Sequence, residues 1–146
     1  MRRAVRAIVV KDDALLVMHR NKFGEEYYTL VGGGIKPGES PEEAVHREVR
    51  EETTLTIANP RLVFTEEAGD PYGTQSMYLC DYAGGEIMLP AEAEEAKIHA
   101  LGSNLYTPMW LPVEKLPDVP FLSEALRQAI IDGLLHGFPQ QPRNIN

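Results

Sequence analysis

Short apolar runs rich in β-branched residues, separated by polar turns, dominate the chain, and a helical period replaces them in two stretches. RAVRAIVV and ALLVMHR flank the polar Lys11-Asp12-Asp13, which predicts a hairpin. A polar, glycine-containing loop over residues 21–26 leads into a short strand over 27–31. Residues 55–57 read as a strand that Asn59-Pro60 breaks. Residues 62–65 and 74–82 are strands around a second hairpin tip, Gly69-Asp70-Pro71-Tyr72-Gly73, and 83–86 turns the chain into 87–89. Residues 91–100, rich in Ala and Glu, suit a short helix or an acidic loop, and 106–111 is a last strand. Pro112, Pro117 and Pro120 punctuate a loop. Residues 121–136 then carry Leu122, Ala125, Leu126, Ala129, Ile130 and Leu134 at helical spacing. The tail after Phe138 is polar and is expected to fray. This order predicts an α/β fold: one domain over residues 1–138, a mixed sheet with helices on its faces, and a polar tail over 139–146.

The other helical stretch lies in GGGIKPGESPEEAVHREVREETTL, residues 32–55. Ser40 is the predicted N-cap, with Pro41 in the first helical position, where its missing N–H costs nothing. Glu42 and Glu43 suit the positive end of the helix dipole, and Glu43 stands at the capping-box distance from Ser40. On a wheel of ~100° per residue, with Ala44 at zero, Val45 and Val49 fall near ~100° and ~140°. Glu51, Glu48 and Glu52 fall near about −20°, 40° and 80° on the same wheel. The three acids interleave with the apolar stripe, while His46, Arg50 and Glu43 face away from it. A solvated charged face would oppose the stripe instead. Carboxylates at these spacings repel, and burying them unpaired is costly. A divalent cation removes both penalties, and an oxygen-only set suits the hard ions Mg²⁺ or Mn²⁺.

Charge and composition narrow the classes. With 43% hydrophobic and 25% charged residues, the chain is ordinary for a globular protein. Its net charge of −8 argues against gripping a nucleic-acid polymer by phosphate neutralisation. An acidic protein that handles phosphates needs metal ions to mediate. No stretch approaches membrane-spanning length, and the run after Arg2-Arg3 is too short for a signal peptide. The single Cys80 permits no internal disulfide, which suits a reducing cytoplasm. His19, His46, His99 and His136 show no metal-ligand spacing.

Gly33, Glu39, Arg47-Glu48-Val49, Glu51-Glu52 and the aliphatic Leu55 together resemble the Nudix box of the Nudix hydrolases. Two positions depart from it: Thr54 stands where the family has glycine, and Val31-Gly32-Gly33 replaces a Pro-Gly-Gly entry. Thr54 is β-branched and suits the left-handed helix exit poorly, so the helix is expected to end in ordinary α or β geometry. The resemblance implies an α/β/α sandwich with the box helix and a C-terminal helix packed on the sheet. It implies a basic substrate residue, for which Arg20 is the candidate, and an acid from outside the box, for which Glu92, Glu94 and Glu95 are candidates. A homodimer is compatible with it.

The expected chemistry is hydrolysis of a small nucleotide substrate across a diphosphate. Metal ions held by Glu48, Glu52 and Glu51 would polarise phosphoryl oxygens and acidify a bound water. Glu51 or Glu48 would accept that water's proton. Arg47, an i, i+4 partner of Glu51, would orient the acids. The Gly32–Gly34 turn, Gly33 included, allows close backbone approach to a metal or phosphate, and Glu39 would complete the cluster directly or through water. The expected activity leans to a (deoxy)nucleoside triphosphate, an oxidised one included. ADP-ribose or ADP-sugars and dinucleoside polyphosphates are the alternatives. Pro71 and Tyr72 match family positions tied to ADP-ribose and to dinucleoside polyphosphates, and so choose neither. A silent nucleotide-binding domain would have lost box acids, and none is lost.

Overall fold

The computed structural model describes residues 2–88 and 104–146. Strand β1 (Arg3–Lys11) turns into β2 (Ala14–Lys22) as expected, with Val10 opposite Leu15 and Lys11 opposite Ala14. Asp12 and Asp13 both take positive φ at the turn, a conformation that Asp tolerates and a two-residue hairpin demands. Beyond the turn the strands diverge. β2 is flanked by β3 (Glu25–Thr29) and β7 (Asn104–Pro112), both antiparallel. β1 is flanked by antiparallel β4 (Val31–Gly34) and by parallel β6 (Thr74–Gly84). β6 in turn pairs with β5 (Thr56–Glu67), and the mixed sheet ends on β8 (Arg143–Asn144).

The period of two along β1, β2 and β6 sorts the core onto two faces. Val5, Ala7, Val9, Leu16, Met18, Tyr78 and Cys80 pack under helix α1 (Pro41–Thr53), around Ala44, Val45 and Val49. Ile8, Leu15, Val17 and Met77 point the other way and meet Leu126, Ala129 and Ile130 of α2 (Glu124–His136). The expected α/β/α sandwich is therefore present. Among the described residues no helix is long and apolar enough to cross a membrane.

Several local expectations change. Asn59-Pro60 does not end a strand: β5 runs through it on a bulge, with Asn59 at φ 52° and its amide donating to Asp81. Residues 113–118 form a 3₁₀ helix that buries Leu116. α2 starts later than its periodicity suggests because Ser123 caps it, accepting from the Leu126 N–H. The tail is not frayed: Ile145 N–H donates to the Thr65 carbonyl, and Asn146 exchanges hydrogen bonds with Glu67. Backbone pairing along the β5 edge and the Asn146 side-chain amide hold it, and no local spacing signals such long-range partners. Residues 91–100, including Glu92, Glu94, Glu95 and His99, lie outside the described residues.

The end of α1 overturns the expectation for Thr54. It takes the left-handed conformation, φ 66° and ψ 5°, and its N–H closes on the Arg50 carbonyl. Its hydroxyl compensates by donating to the Glu86 carbonyl at 2.6 Å. Three terms then compete in Thr54→Gly: relief of about 1–2 kcal/mol of left-handed strain, a glycine entropy cost of about 0.5–1, and a lost hydrogen bond worth about 0.5–1.5. We expect Thr54→Gly to be close to neutral. Thr54→Val keeps the branch and the strain but drops the hydroxyl, so it should lower stability by about 1 kcal/mol. Paired thermal melts test both, and equal melting temperatures for parent and Thr54→Val would exclude a role for the hydroxyl.

Candidate active site

Local chemistry seats α1 first. Ser40 Oγ accepts from the Glu43 N–H while Glu43 Oε1 accepts from the Ser40 N–H, a closed capping box. With Ala44, Val45 and Val49 turned to the sheet, Glu48 is drawn to the rim of the buried face and keeps only 13% of its side chain exposed. Glu51, one step further round, is 54% exposed. The glycines of β4 let this happen. A Cβ at Gly32 would lie 1.9 Å from the Val5 carbonyl oxygen, so only glycine fits beside β1. A Cβ at Gly33 would come within 2.6 Å of Glu48 Oε1, so the Glu48 carboxylate rests against bare backbone.

Arg47 is the hub of the acids. Its Nε and Nη2 hold Glu39 in a fork at 2.6 and 2.9 Å. Its Nη1 donates to Glu48 at 2.9 Å and to Glu51 at 3.3 Å, and Nη2 also donates to the Gly34 carbonyl. Arg47, expected from the sequence to orient the acids, touches three of them. Hydrogen bonds from Arg47, then from the Lys36 N–H, hold the Glu39 carboxyl down at about 2. The same acids push the Arg47 guanidinium up. Glu39 thus has both oxygens engaged, and it joins the cluster through the arginine.

Glu52 is in the opposite situation. Burial, then the Glu48 carboxylate beside it, pushes its carboxyl up to about 8, against the pull of Arg6 and of the Gly32 N–H. Two half-buried carboxylates in contact must share a proton or a cation. That donor set, all oxygen, fits a hard divalent ion. Among the described residues no three acidic or histidine side chains close on one point, and the Glu51 carboxylate is turned to Arg47. Two carboxylates with the remaining positions left to water and phosphate is the arrangement Mg²⁺ favours.

Arg6 links these acids to a cleft of about 330 Å³ on the α2 side of the sheet. The Arg6 side chain lines that cleft, donating from Nε to Gln75 at 3.0 Å and from Nη1 to the Leu30 carbonyl. Burial lowers its guanidinium, and Glu52 and Glu48 oppose that shift. Arg20 lines the same cleft, stacked over Tyr106 and Tyr27 and bonded to the Tyr106 hydroxyl, with its Nε buried and without a hydrogen-bond partner among the described residues. The structure thus brings together Glu39, Arg47, Glu48, Glu51, Glu52 and Gly33, and sets Arg20 in the adjoining cleft. Arg6, Glu66 and Gln75 escaped the sequence reading. Their signal was present: Arg6 interrupts the inward face of β1 between Ala4 and Ile8, and a charge on a buried face needs a reason.

The chain is similar to other proteins both in sequence and in fold. NAD-capped RNA hydrolase NudC of Stutzerimonas stutzeri is 31% identical over 124 residues, spanning 84% of this chain but 41% of that protein. The chain therefore spans about two-fifths of the length of this curated relative. Among solved structures, an ADP-ribose pyrophosphatase from Streptococcus suis superposes with a TM-score of 0.69 at 20% identity, covering 98% of both chains. A MutT protein from Bacillus halodurans gives 0.65 at 22% identity, covering 93% of this chain and 83% of its own. At these identities the structures speak for the fold. A family model described as NUDIX domain matches residues 1–130, so the chain belongs to the NUDIX family.

Proposed function

We propose that this chain hydrolyses a diphosphate linkage in a nucleoside-based substrate, with a nucleoside triphosphate as first choice and Mg²⁺ or Mn²⁺ as the required ion. The observation that carries the reading is the half-buried Glu48–Glu52 pair, which opposes itself unless a cation joins it, with Arg6 between that pair and a cleft of about 330 Å³. That volume lies at the small end of the ~300–1,000 Å³ typical of ligand sites. It suits one base better than the two of a dinucleotide.

Glu48 and Glu52 would hold the ion, with Glu51 within a turn of them. The ion would supply charge neutralisation at the phosphates and a more acidic water. Arg6 adds a fixed positive charge on the cleft side of the acids. Glu48 and Glu51 are both candidates to accept the water's proton, and Arg47 holds each of them in orientation. Gly33 leaves room for Glu48 to approach. Gly33→Ala should therefore displace that carboxylate and cut turnover at least tenfold while changing the melting temperature little.

The test is a panel of nucleoside triphosphates, ADP-ribose, dinucleoside polyphosphates, NAD and an NAD-capped RNA oligonucleotide. Each is offered with Mg²⁺ or Mn²⁺, with products assigned by phosphorus NMR. Cleavage within a diphosphate that stops in excess EDTA is the expected result. Undiminished turnover in EDTA would overturn the metal reading, and preference for ADP-ribose or the capped RNA would overturn the triphosphate.

A further inference from the structure

We infer that the cleft beside Arg6 takes a nucleobase by an edge bearing two adjacent N–H donors, the N1–H and N2–H₂ edge of guanine, with Glu66 as the residue that selects it. This rests on the nucleoside reading above and deepens it. Glu66 lines the cleft and is 9% exposed. One carboxylate oxygen, Oε2, accepts from the Ser123 hydroxyl at 2.5 Å. Ser123 is itself locked as the cap of α2, accepting from the Leu126 N–H, so its proton is committed to Glu66.

The other oxygen, Oε1, has no protein donor among the described residues. The hydrogen bonds made by the three donor side chains around the cleft go elsewhere. Gln75, opposite Glu66 in the β5–β6 ladder, gives its amide N–H to the Tyr72 carbonyl. Arg6 spends its Nε on Gln75 and its Nη1 on Leu30. Arg20 is turned to Tyr106. Oε1 is therefore open to accept from whatever fills the cleft.

Base chemistry then discriminates. Guanine presents two parallel N–H donors on one edge, a match for a carboxylate, and acceptors O6 and N7 beyond them. The Arg20 guanidinium, which lines the same cleft, is a donor suited to those acceptors. Adenine and cytosine each set a single amino donor beside a ring-nitrogen acceptor, which a carboxylate repels. Uracil offers one N–H between two carbonyls. Leu30, Met77 and Leu122 supply apolar walls for the ring.

The test is equilibrium binding without metal, by titration calorimetry of the full chain with GMP, IMP and AMP. IMP keeps N1–H and lacks the 2-amino group. We expect GMP to bind about tenfold tighter than IMP and about a hundredfold tighter than AMP, from one and two hydrogen bonds to a charged group. Glu66→Gln keeps an acceptor for Ser123 and gains an amide donor, the pattern that pairs with adenine. It should lose at least tenfold for GMP and gain for AMP, an inversion that a packing role would not produce. Equal affinities for GMP and AMP, no measurable GMP binding at millimolar concentration, or a Glu66→Gln variant that weakens both alike would overturn the inference. The parent series is independent of any variant's folding. Preference for GMP without hydrolysis of any diphosphate would instead overturn the proposed activity and leave the selectivity of Glu66 standing.

Discussion

Glu52→Gln is expected to slow hydrolysis by two or more orders of magnitude and to abolish most of the stabilisation that Mg²⁺ confers. A cation bound only by the folded chain stabilises it by about 2.7 kcal/mol at a hundredfold excess over Kd, and that increment depends on the paired carboxylates. Without metal the outcome reverses. Burial and Glu48 already hold the Glu52 carboxyl up at about 8, so the neutral form prevails near pH 7, and glutamine has its shape. The metal-free variant should be as stable as the parent or more so. Thermal melts in Mg²⁺ and in EDTA, run beside turnover, read all three effects. Unchanged turnover with an unchanged metal shift would end the metal-site reading of Glu52.

Arg47→Lys should be nearly as damaging, although it preserves the charge. One guanidinium serves Glu39, Glu48, Glu51 and the Gly34 carbonyl, and the fork to Glu39 uses its planar geometry. An ammonium is a point charge that cannot reach these acceptors together. Released, Glu39 and Glu51 would drift from Glu48, and the loop from Gly34 to Ser40 would lose its tie to α1. We expect a fall of about a hundredfold in kcat with a smaller change in KM, because Arg47 touches acids and backbone instead of the cleft. A lower melting temperature in EDTA as well as in Mg²⁺ would separate this variant from Glu52→Gln. A KM effect alone would assign Arg47 to substrate.

The N-cap, the start of α1, the register of Arg47 with Glu48 and Glu51, and the β1–β2 hairpin were all legible in the sequence. Each depends on residues a few positions apart, where rotation per residue and turn chemistry decide the outcome. The acids' interleaving with Val45 and Val49 on the wheel was enough to raise the question of a metal. What the wheel left undecided was how deep each acid goes. Glu52 is the perturbed one because the sheet buries it beside the Glu48 carboxylate, with Arg6 and the Gly32 N–H pulling only part of the way back, while Glu51 at the edge of the stripe stays in water. Thr54 went the other way: its local preference was read correctly and was overridden by the Glu86 carbonyl arriving from a distant turn.

The cleft is the clearest case of tertiary control. Arg6 comes from β1, Glu66 from β5, Gln75 from β6 and Ser123 from the cap of α2, and no local spacing joins them. The tail docks on β5 through the Ile145 N–H and the Asn146 side-chain amide, and their partners lie far away along the chain. Near-neighbour chemistry was therefore written in the chain itself, because sterics and helix geometry act within a turn. Burial, shared protons and the composition of the cleft waited on the sheet, since strand pairing across long separations fixes which polar groups lose their water.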